Sequence, residues 1–284
     1  MIGKTRHTDR HPPANGLSPA SVPFRQGCGV LWHSPPPGTY RHIRHAPPEA
    51  LRGWVEHFWL EDWEFLAGAS QTREVLPHPC VQFVFARGRS RIYGVQLDRF
   101  VRELSGKDRI VGIKFRPGAF YPFFHQSVCS IASRSIPAAQ VFSDAESAAE
   151  EVLAQRNDLG MMEAAARFLG AHLPPPDPLV ESARRAVEEI VENPSVTRVQ
   201  HLVTRLGVSE RTLQRLFRRY VGASPRWIIK RYRVYEALEQ LTLGQPPELA
   251  ALAQNLGYFD QAHFINDFKK LVGYAPNEYA ARYQ

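Results

Sequence analysis

The chain has 284 residues and a formal net charge of +7, long enough for two ordinary domains. Hydrophobic residues at 44% and charged ones at 22% exclude wholesale disorder. The longest uncharged stretch, residues 117–133, holds prolines and falls short of the roughly 20 apolar residues a membrane span needs; three cysteines exclude a disulfide scaffold.

Residues 1–39 carry seven prolines and no periodic apolar pattern, so a disordered tail is expected there. No apolar run follows the basic start, which reads as no secretory signal and a cytoplasmic location. Trp54–Leu60, Val81–Phe85 and Arg109–Phe115 are short, β-branched and aromatic, bounded by glycines and prolines; they predict strands. Ser143–Leu173 changes to an i, i+3/i+4 rhythm and predicts helix, with apolar stripes suited to pairing two chains. Leu173-Pro174-Pro175-Pro176-Asp177-Pro178 is stiff and extended, which makes 174–178 a linker between a domain at 40–173 and an all-helical one at 179–284. Asp177 is placed to cap the next helix, with Pro178 at its first position and Asn193-Pro194 at its end.

Charge is uneven. Residues 51–178 hold 14 basic and 15 acidic side chains, whereas residues 198–233 hold ten basic ones and a single acid, Glu210. Such an excess needs anionic partners, and on short helices phosphate is the usual one. The same region contains an internal repeat. Leu202-Val203-Thr204-Arg205-Leu206-Gly207 aligns with Leu252-Ala253-Gln254-Asn255-Leu256-Gly257, and Leu213-Gln214-Arg215-Leu216-Phe217 with Phe264-Ile265-Asn266-Asp267-Phe268. Five residues separate Phe217 from Gly222 and Phe268 from Gly273, and three more lead to Pro225 and Pro276. Each copy reads as helix, glycine turn, capped second helix: Gly207 supplies the left-handed turn, and Ser209 and Asp260 the caps. Leu213, Leu216, Phe217 and Tyr220 would face the core. That is helix-turn-helix geometry, whose second helix enters the major groove. A helix over Arg226–Leu243, ended by Gly244, Pro246 and Pro247, would be a strut of about 27 Å between the two motifs, against a DNA turn of about 34 Å.

Residues 180–283 resemble the DNA-binding domain of the AraC/XylS family of bacterial transcription regulators. The likeness rests on Leu206-Gly207-Val208-Ser209, Leu213-Gln214-Arg215-Leu216-Phe217, Ser224-Pro225, Gly257-Tyr258, Asp260-Gln261, His263-Phe264, Phe268-Lys269-Lys270, Gly273, Pro276 and Tyr279. It implies a seven-helix domain with two motifs, double-stranded DNA as partner, and an activator working with RNA polymerase as a homodimer. By position, Arg211, Gln214 and Arg215 match base-reading sites of the first motif, and Gln261, Ala262, His263 and Asn266 those of the second. Arg198, Arg205, Arg218, Arg219, Lys269 and Lys270 are the phosphate candidates. Ala262 reads no hydrogen bond, and Asp267 is expected to add a negative charge to the second reading helix.

The resemblance also implies an α+β chain whose N-terminal domain is a β-rich, cupin-like sensor (β-rich 40–142, helical 143–173) for a small-molecule effector. Arg116, at a strand end, is a candidate to bind an effector's carboxylate or phosphate, against a plain surface salt bridge. His78 with Cys80 and His125 with Cys129 could form a Cys₂His₂ zinc site if the pairs met; no cofactor is otherwise expected. Two other functions compete. A metal-dependent cupin-like enzyme would need a cluster of three histidines and a carboxylate, which the spacing does not offer. A DNA-alkylation-repair activator would need four zinc-binding cysteines, and the chain has three.

Overall fold

A computed structural model of the chain describes residues 30–31, 38–242 and 248–283. Most of the expected tail, Cys28, and the helix stop at Gly244, Pro246 and Pro247 lie outside the described residues.

The N-terminal half contains two antiparallel sheets. The larger has six strands in the order β2 (Gly38–His45), β3 (Val55–Phe65), β8 (Lys107–Phe115), β5 (Gln82–Phe85), β6 (Arg91–Tyr93) and β9 (Ser135–Pro137). The smaller has three, β1 (Val30–Leu31), β4 (Ser70–Val75) and β7 (Phe100–Ser105). Ordered strand therefore begins inside the span expected to be a tail: Val30 pairs with Val75, and Gly38 with Phe65. The three expected strands are present, the first running on to Phe65.

Alternation along β3 explains its composition, because successive side chains leave opposite faces of a strand. Phe58 and Leu60 join Phe83, Phe85, Val111, Ile113 and Phe115 in one buried cluster, while Trp59, Trp63 and Phe65 join Val84, Leu104 and Ile110 in another. The large sheet is thus covered on both faces, by helices on one side and by the small sheet on the other. Two helices supply the first cover, α2 (Ala145–Leu153) and α3 (Asp158–Ala171). The single helical stretch expected over 143–173 is broken because Asn157 caps α3, its Oδ1 accepting from Gly160 N at 2.8 Å. Phe142 and Phe168 pack on Phe83 with ring centroids 5.4 and 5.7 Å apart. The apolar stripes read as a pairing surface are spent on the chain's own sheet: Ala149, Val152, Met161, Ala165 and Leu169 are all buried. Corrected in this way, the stripes supply no argument for a dimer.

A short helix, α1 (Tyr121–Phe124), leads away from the sheet. After the prolines, the described residues form seven α-helices: α4 (Pro178–Glu192), α5 (Val199–Leu206), α6 (Glu210–Leu216), α7 (Pro225–Thr242), α8 (Leu249–Asn255), α9 (Gln261–Val272) and α10 (Pro276–Tyr283). Asp177 caps α4 through Leu179 N at 2.9 Å, and its other oxygen accepts from the Tyr220 hydroxyl at 2.7 Å. The packing ignores the proline segment. One buried cluster runs from Leu51 through the sheet and α2–α3 to Leu213, Phe217, Tyr220 and Ile229, so the first motif shares its core with the N-terminal half. The second motif has a cluster of its own, to which the N-terminal half contributes Leu76.

Candidate functional site

In the first motif α5 ends at Gly207, whose φ of 64° puts it in the left-handed region that turns the chain sharply into α6. Ser209 Oγ accepts from Thr212 N at 3.1 Å, capping the second helix. That helix continues through a π-helical turn, Phe217–Val221, to Gly222. Leu213, Phe217 and Tyr220 are buried beneath it. Arg211, Gln214, Arg215 and Arg218 stand exposed, Gln214 donating to Glu210 at 2.9 Å.

The second motif repeats this. Gly257 has φ 78°, Asp260 Oδ1 accepts from His263 N at 2.7 Å, and Gln261, Ala262, His263, Asn266, Lys269 and Lys270 are exposed. Asp267 corrects one expectation: it is buried, pairs with Lys230 of α7 and lies 3.5 Å from His263 Nε2, so its charge is neutralised inside the domain. Between the motifs α7 is one helix of 18 residues, as the spacing predicts. Glu210, at the start of α6, and His263, near the start of α9, line one cleft with Arg226 and Lys230 of α7 and with Phe259, which is 94% exposed. The second helices of both motifs therefore begin on the same side of α7.

The basic excess is not all surface charge. Arg231 and Arg233 are buried, Arg233 donating to Ile190 O at 2.8 Å and pairing with Glu236 at 2.6 Å. All six phosphate candidates are exposed, and Arg198, Arg218, Lys269 and Lys270 stand clear of the contacts that hold the other two. Arg205 is held by Glu189 and by Asn193 Oδ1 at 3.0 Å. Arg219 donates to the Tyr121 hydroxyl and lies 4.6 Å from that ring's centroid, which ties the end of this helix to the N-terminal half.

A second site lies between the two sheets: a cavity of about 150 Å³. Trp59 forms one wall, its indole Nε1 donating to Gln82 Oε1 at 2.9 Å. The ring lies over Gly112, where a Cβ would come within 2.0 Å of it; only glycine leaves room for the indole. Glu61 accepts from Arg73 and lies 3.1 Å from His42 Nδ1. Burial alone would raise the Glu61 carboxyl, but His42 and Arg73 hold it below the ordinary range. Lys114 donates to Glu56 at 2.9 Å and sits 3.2 Å from His78 Nε2. Burial and then the Lys114 charge push His78 well below its usual value, burial lowers His57 likewise, and burial raises the Cys80 thiol to about 12.

The comparisons fall on these two halves. Residues 202–282 match a family model described as a helix-turn-helix domain, and residues 43–137 one described as a domain of unknown function, DUF6597. The C-terminal half is an AraC-type helix-turn-helix domain. The chain is accordingly a DNA-binding transcription regulator. No curated protein matches it. Among solved structures, a probable AraC family transcriptional regulator from Rhodopseudomonas palustris is 28% identical over 36% of this chain and 95% of its own, with a TM-score of 0.32. The DNA-binding domain of AdpA, a global transcriptional factor solved in complex with a target DNA, is 28% identical over 38% and 94%, at 0.31. ToxT from Vibrio cholerae is 11% identical over 87% and 98%, at 0.38.

In the N-terminal half, other expected site residues are placed differently. Arg116 does not line the cavity; its Nε donates to Arg52 O at 2.6 Å, because β8 delivers it to a surface turn. The two His–Cys pairs do not meet. His125 is a left-handed helix cap and Cys129 belongs to a separate exposed turn, whereas Cys80 is buried beside Lys114. Among the described residues no group of three or more His, Cys, Asp or Glu could hold a metal ion. His78 and Cys80, singled out in the sequence for zinc, line the cavity instead, whereas His42, Glu61, Arg73 and Lys114 escaped the sequence reading because they come from four strands. The available signal was a charge at an inward position of a two-sided strand, as in Trp59-Leu60-Glu61 and Gly112-Ile113-Lys114.

Proposed function

We propose that this regulator is effector-responsive and reads two successive major-groove segments of one DNA duplex. Arg211, Gln214 and Arg215 read bases in one segment and Gln261, His263 and Asn266 in the next. Arg198, Arg218, Lys269 and Lys270 hold phosphates, and Phe259 supplies an apolar contact to a thymine methyl or a sugar. The supporting observation is that both capped reading helices begin on one side of an unbroken 18-residue helix. The cavity between the sheets is the effector site in this reading, and the chain works in the cytoplasm. No helix among the described residues is long and apolar enough to cross a membrane. Recruitment of RNA polymerase and pairing of two chains on the operator rest on the resemblance alone.

The test is a genome-wide footprint with the full chain, then substitution in each motif. Two protected segments about 10 base pairs apart are expected, with Arg215→Ala relaxing sequence preference in one and Asn266→Ala in the other. A single protected segment, unaffected by Asn266→Ala, would leave the second motif without a reading role.

A further inference from the structure

The effector reading above leaves the chemistry of the effector open, and the charges around the cavity narrow it. Four cationic side chains line the space, Arg44, Arg73, Arg102 and Lys114, against one lining carboxylate, Glu61, which is already committed to Arg73 and His42. Lys114 is paired with Glu56 at 2.9 Å, so the uncompensated charge in the lining is that of Arg44 and Arg102. Apolar wall comes from Trp59, Phe100 and Tyr235. A volume of about 150 Å³ is on the order of the cavity that admits a single benzene ring.

Tyr235 belongs to α7, the strut of the DNA-binding half, and beside it lies the most unusual side chain in the molecule. Arg231 is 0% exposed. Its Nε donates to Pro77 O, its guanidinium carbon lies 3.6 Å from the Tyr235 ring centroid, and its Nη1 and Nη2 have no hydrogen-bond partner. Among the described residues no carboxylate pairs with it. A buried cation left in this state is costly and is relieved by a nearby anion. Arg231 also occupies the middle of a stripe. Trp227, one turn earlier, donates to Leu97 O at 3.2 Å, and Tyr235, one turn later, donates to Pro77 O at 3.3 Å. Residues four apart share a helix face, so one face of the strut is fastened to the sensor at three successive turns.

We infer that the cavity takes a small organic monoanion with an apolar body, such as a one-ring or branched-chain carboxylate, and that its charge tightens the Trp227–Arg231–Tyr235 face of α7 against the sensor. The inference rests on the effector reading of the cavity and adds the ligand's charge and the element that registers it. Arg102 and Arg44 are the groups in reach of the anionic head, and Lys114 already shares its charge with Glu56. Arg231 acts at one remove, through the field behind Tyr235 and His78, and is a positioning residue.

The experiment uses the full chain with benzoate, cyclohexanecarboxylate, benzamide and inorganic phosphate as probes, read by calorimetry, thermal melting and hydrogen exchange. At least one of the two carboxylates should bind at least tenfold more tightly than benzamide or phosphate and should slow exchange of the α7 amides. Arg231→Met should raise the melting temperature of the free protein, by removing an uncompensated buried charge, and should abolish the added protection of α7. Arg102→Gln, at a half-buried position with less risk to folding, should weaken carboxylate binding at least threefold. Benzamide binding as tightly as benzoate, or no carboxylate binding at all, would overturn the inference. DNA footprints are measured separately. Neutral compounds that fill the cavity and alter the footprint would leave the effector reading standing and remove only the anionic class.

Discussion

Arg215, Arg218 and Arg219 sit within five residues on one helix and face three different tasks. Arg215 is exposed in the helix half that enters the groove in the reading proposed above, where a guanidinium can donate two bonds to a guanine edge. Arg215→Ala should cost about 1–3 kcal/mol on the preferred site and flatten preference at one base position. Arg218 is exposed one turn further on, so Arg218→Ala should weaken every sequence alike and lower the salt slope by about one. Arg219 is stacked on Tyr121; its loss should lower the melting temperature as well as DNA affinity. Titrations at several salt concentrations on natural and scrambled DNA, with melting curves for each variant, separate the three. Equal loss on both DNAs for Arg215→Ala would show that it holds phosphate. The buried histidines give a second prediction at this scale. The folded values of His57 and His78 lie below the ordinary 6.5, so below that pH the unfolded chain binds more protons than the native one. The stabilisation is therefore complete above about pH 6.5 and is lost as pH falls from there toward the depressed folded values. Glu56 and Glu61 are also depressed, and their contribution fails separately, below the ordinary glutamate range. Melting temperature should fall between pH 7 and 5 and fall less in His78→Gln; a flat profile over that window would contradict the neutral burial of His78.

Helix ends decide how the motifs form. Ser209 and Asp260 each satisfy a backbone N–H that has no partner within its own helix. Ser209→Ala and Asp260→Ala should each cost about 0.5–2 kcal/mol, and amide exchange should quicken in α6 for the first and in α9 for the second. Loss of protection spread evenly over both helices would mean that the caps do not act locally. This locality is also why the C-terminal half was legible in the sequence. Gly207, Ser209, Gly257 and Asp260 each fix a turn within a few residues, so their spacing alone outlines the motifs. The N-terminal half is held by pairings between distant residues, such as Gly38 with Phe65 and Trp59 with Gly112. Single strands were readable there, but the facing of the sheets was not, and the cavity exists only through that facing. The helices at 143–173 were readable as amphipathic, yet a stripe does not say whether it meets a sheet or a second chain. Arg231 and Arg233 misled in a similar way: a basic residue adds to the charge count whether or not it is buried.

At the scale of the whole molecule, the boundary in the chain and the boundary in the packing differ. The prolines at 174–176 separate two compositions, yet the first motif's Leu213, Phe217 and Tyr220 belong to the N-terminal half's cluster. Gly222 lies against Val95 and Val128, where a Cβ would come within 2.8 Å of Val128, and Ser127 donates to Arg218 O at 2.9 Å. The second motif keeps its own core, with Leu76 as the sensor's contribution. A fragment from Asp177 to Gln284 keeps the Tyr220–Asp177 hydrogen bond and both caps, so it retains the means to fold. It loses the partners of Gly222, Trp227 and Arg231, all on the first motif's side of the strut. Its two motifs should therefore differ in local stability, which amide exchange reports directly. Protection in α5 and α6 should drop by roughly tenfold or more relative to the full chain, while α8, α9 and α10 stay close to their full-chain values. The fragment should still bind DNA, with the second motif contributing a larger share of the specificity than it does in the full chain. If α5 and α6 are as protected in the fragment as in the full chain, the shared core is not what holds the first motif, and the proline segment is an energetic boundary as well as a compositional one.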